Sequence, residues 1–202
     1  VDAAVESFQK ALTVNPDYAG AHNNLGIALH RLEQVGDAVE SYRKALAINS
    51  DYVEAHNNLA NAYKELGQLD DSVKCYKKAL TLKPDYTRAH NNLGIAFKQL
   101  GQLDDAVECY EKAIAIQPDY AEAHNNLGNA YKELGQLDDA VKSYEKALDL
   151  NPDYAYAHNN LGNAFKELGQ LDDAVKSYEK ALDLKPDFIG AQNNLSNAKA
   201  LK

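Results

Sequence analysis

Five histidines, His22, His56, His90, His124 and His158, recur every 34 residues, and the two cysteines, Cys75 and Cys109, keep the same interval. Imidazoles and thiols are common metal ligands, and paired thiols can form a disulfide. The interval argues against both uses. Equivalent helices of a repeat stack on the order of 10 Å apart, whereas zinc ligands lie about 2 Å from one centre. A disulfide needs Cα atoms within ~7 Å. The histidines are therefore expected to serve helix packing and the cysteines to stay reduced, with no metal and no cofactor. Catalysis fares no better. A catalytic group is normally unique, yet almost every polar residue of interest occurs five or six times. No nucleophile–base–orienter set or phosphate-cradling glycine loop stands out, so no enzymatic activity is expected.

Binding chemistry is better represented. Paired asparagines recur throughout: Asn23-Asn24, Asn57-Asn58, Asn91-Asn92, Asn125-Asn126, Asn159-Asn160 and Asn193-Asn194. Asn is a mediocre helix former, but its amide both donates and accepts and can bond a peptide backbone without reading side chains. Further along stand Asn61, Asn129 and Asn163, then a lysine row of Lys64, Lys98, Lys132 and Lys166, with His30 in the first of these places. Glu65, Glu133 and Glu167 partly neutralise that row. Residues that differ between repeats, namely Arg31, Glu54, Arg88, Gln99 and Tyr156, are the candidates for specificity.

These residues must be positioned by helices. All five prolines share one register, and residues 121–154 and 155–188 differ at only four places. Such self-similarity means a repeat array. The divisions are a partial unit 1–18, complete repeats 19–52, 53–86, 87–120, 121–154 and 155–188, and a terminal partial or capping helix 189–202, all in a single array 1–202. Within 121–134, Ala123, Leu127, Ala130, Tyr131 and Leu134 fall at helical spacing. In 138–151, Ala140, Val141, Tyr144, Ala147 and Leu148 do the same. Gly135-Gln136 breaks the chain between them and Pro152 ends the second helix. Asp138 or Asp139 is expected to cap and charge the second helix, Asp153 to cap the next unit, and Asp119-x-x-Glu122 to form a capping box. Gly128 is expected to face Ala140, with Ala60 opposite Ser72 as a second small pair. The first complete repeat departs from the pattern: Glu33-Gln34-Val35-Gly36 and Ser50 blur its turns.

Composition sets the outer limits. The 202 residues are 45% hydrophobic and carry a formal charge of −9. That balance argues against nucleic-acid and anionic-membrane partners, which need a basic patch. No apolar run approaches the ~20 residues of a membrane span. No secretory leader opens the chain, and a cytoplasmic location is expected. A start at Val1 and the absence of Met suggest that the true beginning lies elsewhere.

The spacing His124-x2-Leu127-Gly128-x2-Tyr131, followed by Ala140-x3-Tyr144 and Pro152, resembles the tetratricopeptide repeat over the whole chain. His stands where that family usually has Trp or another large residue. The resemblance implies an all-α, right-handed superhelical solenoid of antiparallel helix pairs. First helices would line a concave groove and second helices form the convex back. On the wheel of 121–134, positions 122, 125, 126, 129, 132 and 133 oppose the apolar arc and are expected to face that groove. The paired asparagines are similar to the ladder in the tetratricopeptide superhelix of O-linked N-acetylglucosamine transferases, which grips extended peptides. Alternatively the asparagines bond within and between repeats and align the stack. The family's two-carboxylate clamp is missing, since its lysine position is Asn throughout and Arg88 is the sole basic residue at the 122-type position.

The expected function is a protein-interaction module holding an extended peptide or protein segment. Two alternatives stay open: a self-assembling or consensus-like scaffold, and the substrate-presenting array of a larger enzyme such as a glycosyltransferase. A rung every ~10 Å and a rise of about 3.3 Å per extended residue give about three ligand residues per asparagine, or roughly 15 to 18 over all six. Weak head-to-tail self-association is also expected, because Val5, Phe8 and Leu12 on the first helix and the apolar face of 189–202 are complementary halves of one repeat.

Overall fold

The computed structural model describes residues 2–202. Among them, twelve helices follow one another with no strand: α1 (Asp2–Val14), α2 (Ala19–Arg31), α3 (Val35–Ile48), α4 (Val53–Glu65), α5 (Leu69–Leu82), α6 (Thr87–Gln99), α7 (Leu103–Ile116), α8 (Ala121–Glu133), α9 (Leu137–Leu150), α10 (Ala155–Glu167), α11 (Leu171–Leu184) and α12 (Ile189–Leu201). Each complete repeat is thus one first helix of 13 residues and one second helix of 14. The fold class is the all-α solenoid of helix pairs.

The helices form two compact units, residues 1–101 and 102–202, whose boundary falls in the turn between α6 and α7. In the first unit α2 pairs with α3 and α4 with α5, while α1 packs on α2, α3 on α4 and α5 on α6. First helices also touch one another, α2 with α4 and α4 with α6. The second unit repeats the scheme: α8 pairs with α9 and α10 with α11, α7 packs on α8, α9 on α10 and α11 on α12, and α8, α10 and α12 touch in sequence.

A tyrosine on each second helix anchors the packing. Tyr42, Tyr76, Tyr110, Tyr144 and Tyr178 are the largest fully buried side chains. Gly26, Gly128 and Gly162 give the ring room to lie against the first helix of its own repeat. A Cβ added at these glycines would come within 2.5 to 2.8 Å of ring carbons of Tyr42, Tyr144 and Tyr178. The atoms nearest a Cβ at Gly128 are those of the Tyr144 ring, so the close approach expected of this glycine seats a tyrosine. Ala60 replaces this glycine in α4, and there Ser72 Oγ donates to the Ala60 carbonyl at 2.8 Å, as a second small pair predicts.

Turns within the hairpins obey one scheme. At the end of α8, Gly135 N–H donates to the Lys132 carbonyl and Gln136 N–H to the Tyr131 carbonyl at 3.0 and 2.9 Å. This is the doubly bonded helix ending that requires a left-handed residue, supplied by Gly135 at φ 76°. The irregular first repeat makes the same turn. Glu33 takes φ 61°, with Glu33 N–H on the His30 carbonyl and Gln34 N–H on the Leu29 carbonyl. Helix starts differ from expectation. Tyr120 and Tyr154, not Asp119 and Asp153, occupy the N-cap positions of α8 and α10, and neither makes a side-chain cap bond. The chain enters each first helix one residue later than the Asp, so that the tyrosine backbone carbonyl starts the ladder. Asp138 and Asp139 lie in the first turn of α9, behind Gln136 as N-cap, where they offset the helix dipole without capping.

Candidate functional site

The paired asparagines divide into two roles. The first members, Asn23, Asn57, Asn91, Asn125 and Asn159, are only 0–8% exposed. Their expected place on an open groove is corrected by the stacking: a first helix is flanked by other first helices, which cover this edge of the polar arc. The second members Asn58, Asn92, Asn126, Asn160 and Asn194 are half-buried, and Asn24 is exposed. Nδ2 of Asn58 donates to Asn23 Oδ1 at 3.1 Å. Asn160 does the same to Asn125 at 3.1 Å and Asn194 to Asn159 at 3.0 Å. The buried amide of one repeat is thus satisfied by the half-exposed amide of the next. Asn92 departs, donating to Asn61 Oδ1 at 3.2 Å, and Asn57 Oδ1 is left buried without a partner.

Half-buried Asn61, Asn129 and Asn163 meet the core tyrosines. The hydroxyls of Tyr76, Tyr144 and Tyr178 donate to their amide oxygens at 2.5, 2.8 and 2.8 Å. At the same place α2 carries Ile27 and α6 carries Ile95. Sequence reasoning passed over this alternation. Its signal is the 34-residue register itself, in which a tyrosine fifteen residues downstream keeps its hydroxyl while the upstream acceptor changes.

Lys64, Lys98, Lys132 and Lys166 are half-buried along the same helices. Lys132 Nζ lies 3.6 Å from Glu167 of the next repeat, and His30 Nε2 donates to Glu65 Oε2 at 2.6 Å. Such partly exposed pairs contribute little to stability, but they mute the row as a uniformly basic strip. Arg88 is exposed. Tyr156 is 50% exposed and forms a local cluster with the next connector. Its ring centroid is 5.0 Å from that of Phe188, and Lys185 Nζ caps both rings while donating to the Tyr156 hydroxyl at 2.9 Å.

The histidines do more than fill space between helices. His22, His90, His124 and His158 donate Nε2–H to the carbonyls of Pro16, Pro84, Pro118 and Pro152 at 2.8 to 3.0 Å, and His56 to that of Ser50. Each ring ties its helix to the connector six residues upstream. In α12 the position is Gln192, whose amide makes the same bond to Pro186 at 2.8 Å. Of the cysteines, Cys109 is buried and Cys75 half-buried, with burial pushing the Cys75 thiol up to about 11.

A family profile described as TPR repeat matches residues 1–33, 29–67, 60–101, 96–135 and 128–169, and one described as tetratricopeptide repeat matches 155–188. The chain belongs to the tetratricopeptide-repeat family. This is a protein-interaction fold and generally a non-catalytic scaffold. Among solved structures the chain is similar to YrrB, described as a TPR protein with an unusual peptide-binding site. The identity is 24%, covering 94% of this chain and 97% of that one, with a TM-score of 0.74. It is also similar to MamA, at 28% identity over 80% of this chain and 95% of that one, with a TM-score of 0.74. TTC0263, a thermophilic TPR protein of Thermus thermophilus, is 25% identical over 91% of this chain and 100% of its own length, with a TM-score of 0.71. Comparison with the curated proteins finds no match. Among the described residues no helix is long and apolar enough to cross a membrane.

Proposed function

We propose that each unit of this tetratricopeptide array holds an extended peptide or protein segment along the half-exposed asparagines of its first helices, as the similar ladder of O-linked N-acetylglucosamine transferases does. The observation that carries the reading is the tie between neighbouring amides. Because Asn58, Asn160 and Asn194 each spend one N–H on the preceding repeat, the orientation of the amide is fixed before a ligand arrives. The second N–H and the carbonyl oxygen then offer a peptide backbone a donor and an acceptor at little entropic cost. The stack-aligning role and the ladder role are compatible in this arrangement. A peptide-binding site on the same fold in YrrB agrees with it. In this reading the chain performs no chemistry of its own and works in the cytoplasm, and Arg88 and Tyr156 tune which segment is held.

Three rungs per unit at about three residues each correspond to roughly nine ligand residues. Replacing Asn126, Asn160 and Asn194 together by Ala removes three bonds of ~1 kcal/mol each. Binding of a peptide captured from a peptide array should weaken about a hundredfold. A thermal melt run in parallel separates the roles. Unchanged affinity of the folded variant refutes the ladder, and a lowered melting temperature reports the inter-repeat bonds lost with Asn160 and Asn194.

Self-association has one observation of its own. A cavity of about 400 Å³ lies between α1 and α2, lined by Ala4, Phe8, Asn24, Ile27, Ala28 and Arg31. We infer that α12 of a second copy of this polypeptide can enter it weakly, because Lys199 and Lys202 are already held by Glu179 and Asp172 on α11. Sedimentation velocity over a concentration series checks this, and a constant coefficient would refute it.

A further inference from the structure

The tyrosine–asparagine bond made within three repeats is missing from the first complete one, and also from 87–120, where Ile95 stands and the Tyr110 hydroxyl is buried without a partner. Tyr42 is 1% exposed, and Ile27 stands where Asn61, Asn129 and Asn163 accept the hydroxyl of their own tyrosine. Among the described residues the Tyr42 hydroxyl has no hydrogen-bond partner. Burial pushes it up to about 12, so at neutral pH it is a donor. It is not sealed off. Tyr42 lines a cavity of about 310 Å³ together with Ile27, His30, Arg31 and Asn58.

The rim of this cavity also departs from the repeat pattern. The pair that reads Lys64-Glu65, Lys132-Glu133 and Lys166-Glu167 in three repeats, and Lys98-Gln99 in a fourth, is His30-Arg31 here. His30 is taken up by Glu65 at 2.6 Å, whereas Arg31 is exposed and makes no ion pair among the described residues. In a chain of net charge −9, a guanidinium without an ion pair and a hydroxyl without a hydrogen-bond partner line the same cavity. Three changes from the repeat pattern, Ile27, His30 and Arg31, converge on one cavity.

We propose that this cavity takes a carboxylate of an extended peptide. One carboxylate oxygen accepts from the Tyr42 hydroxyl, as the asparagine oxygen does in three other repeats. The other oxygen faces the Arg31 guanidinium, and the ligand's methylenes lie on Ile27. The inference rests on the reading that a peptide runs along the asparagines, since Asn58 lines the same cavity. It adds that the segment carries an acidic group at this point, from a Glu or Asp side chain or from its own C-terminus.

The test uses the whole chain and fluorescein-labelled nonapeptides of Gly, Ser and Asn with a central Glu, Gln or Lys, each amidated or with a free C-terminus. Fluorescence polarisation should show the amidated Glu peptide, or any free-acid peptide, binding about tenfold tighter than the amidated Gln peptide, the gain of a charged hydrogen bond. A gain limited to the free acids identifies the terminus as the source. Ile27→Asn is the decisive variant. It fills the vacancy with the protein's own amide, as three other repeats do, and keeps the fold. The carboxylate preference should vanish while Gln-peptide affinity stays. Tyr42→Phe and Arg31→Glu should each erase most of the preference. Equal binding of all peptides to the unaltered chain, or a preference that survives Ile27→Asn, overturns the carboxylate site and leaves the asparagine reading standing. If no peptide binds, both readings fall.

Discussion

His124 illustrates how a residue with reactive potential is used here for geometry. Its ring donates to the Pro118 carbonyl, and the equivalent bond in α12 is made by the amide of Gln192. A residue that Gln can replace is valued for one N–H at a fixed reach. His124→Gln should therefore cost little, whereas His124→Ala leaves the connector carbonyl without its donor and should cost about 1–2 kcal/mol. Chemical denaturation of the two variants checks this, and equal losses would mean that imidazole packing matters more than the bond. The asparagines follow the same logic. Asn125 Oδ1 is satisfied only by Asn160, so Asn160→Ala should destabilise the second unit even without a ligand, by about 1–3 kcal/mol.

Among the elements, the hairpin turn of the first complete repeat stands apart. Four turns place glycine at φ 72 to 76°, and the fifth forces Glu33 into the same region at φ 61°. A side chain costs roughly 1 kcal/mol there. Gly36 then sits in the first turn of α3, where Asp70, Asp104, Asp138 and Asp172 stand in the other repeats. Nothing lies within 4 Å of a Cβ added to it. Glycine inside a helix loses roughly 0.5–1 kcal/mol relative to alanine, and an acid there also favours the helix N-terminus. The double change Glu33→Gly with Gly36→Asp should raise stability by about 1.5–2 kcal/mol. A higher melting temperature without altered helical circular dichroism is the expected result. A fall would mean that Glu33 makes a compensating contact.

Over the whole chain, stability is distributed among similar neighbours instead of being held in one core. α1 has no fully buried residue, whereas α4 and α6 each bury several. Hydrogen exchange should be fastest in α1 and slower in the helices flanked on both sides. Uniform protection along the chain would count against a distributed core. The tyrosines give the array a common response to alkali. Burial pushes Tyr42 and Tyr178 from 10.0 up to about 12 and raises Tyr76, Tyr110 and Tyr144 as well. These groups hold their protons in the folded chain after the unfolded chain has released them. Their contribution is complete below pH ~10 and is lost progressively as pH rises toward the folded values. Absorbance titration should show exposed tyrosines ionising first and the buried set only above pH ~12 or on unfolding. A single transition near 10 would contradict their burial.

Period and helix placement were legible in the sequence because each repeat writes them independently. The small-residue positions, the large apolar positions and the proline punctuation recur in one register, and local sterics suffice to turn that register into helix pairs. The positions of Asn125, Ile27 and Asp119 show where this ends. A helical wheel treats Asn125 and Asn126 as neighbours on one polar arc, but the adjoining first helix covers the former and leaves the latter half open. Ile27 reads as one more apolar residue until Tyr42 is found beneath it without a partner. Asp119 satisfies a capping pattern that the chain bypasses by starting its helix from Tyr120. Periodicity is a property of a single helix and is fixed by backbone geometry. Exposure of an edge residue, the acceptor of a buried hydroxyl and the entry angle of a connector depend on the helix packed alongside, and only the tertiary structure decides them.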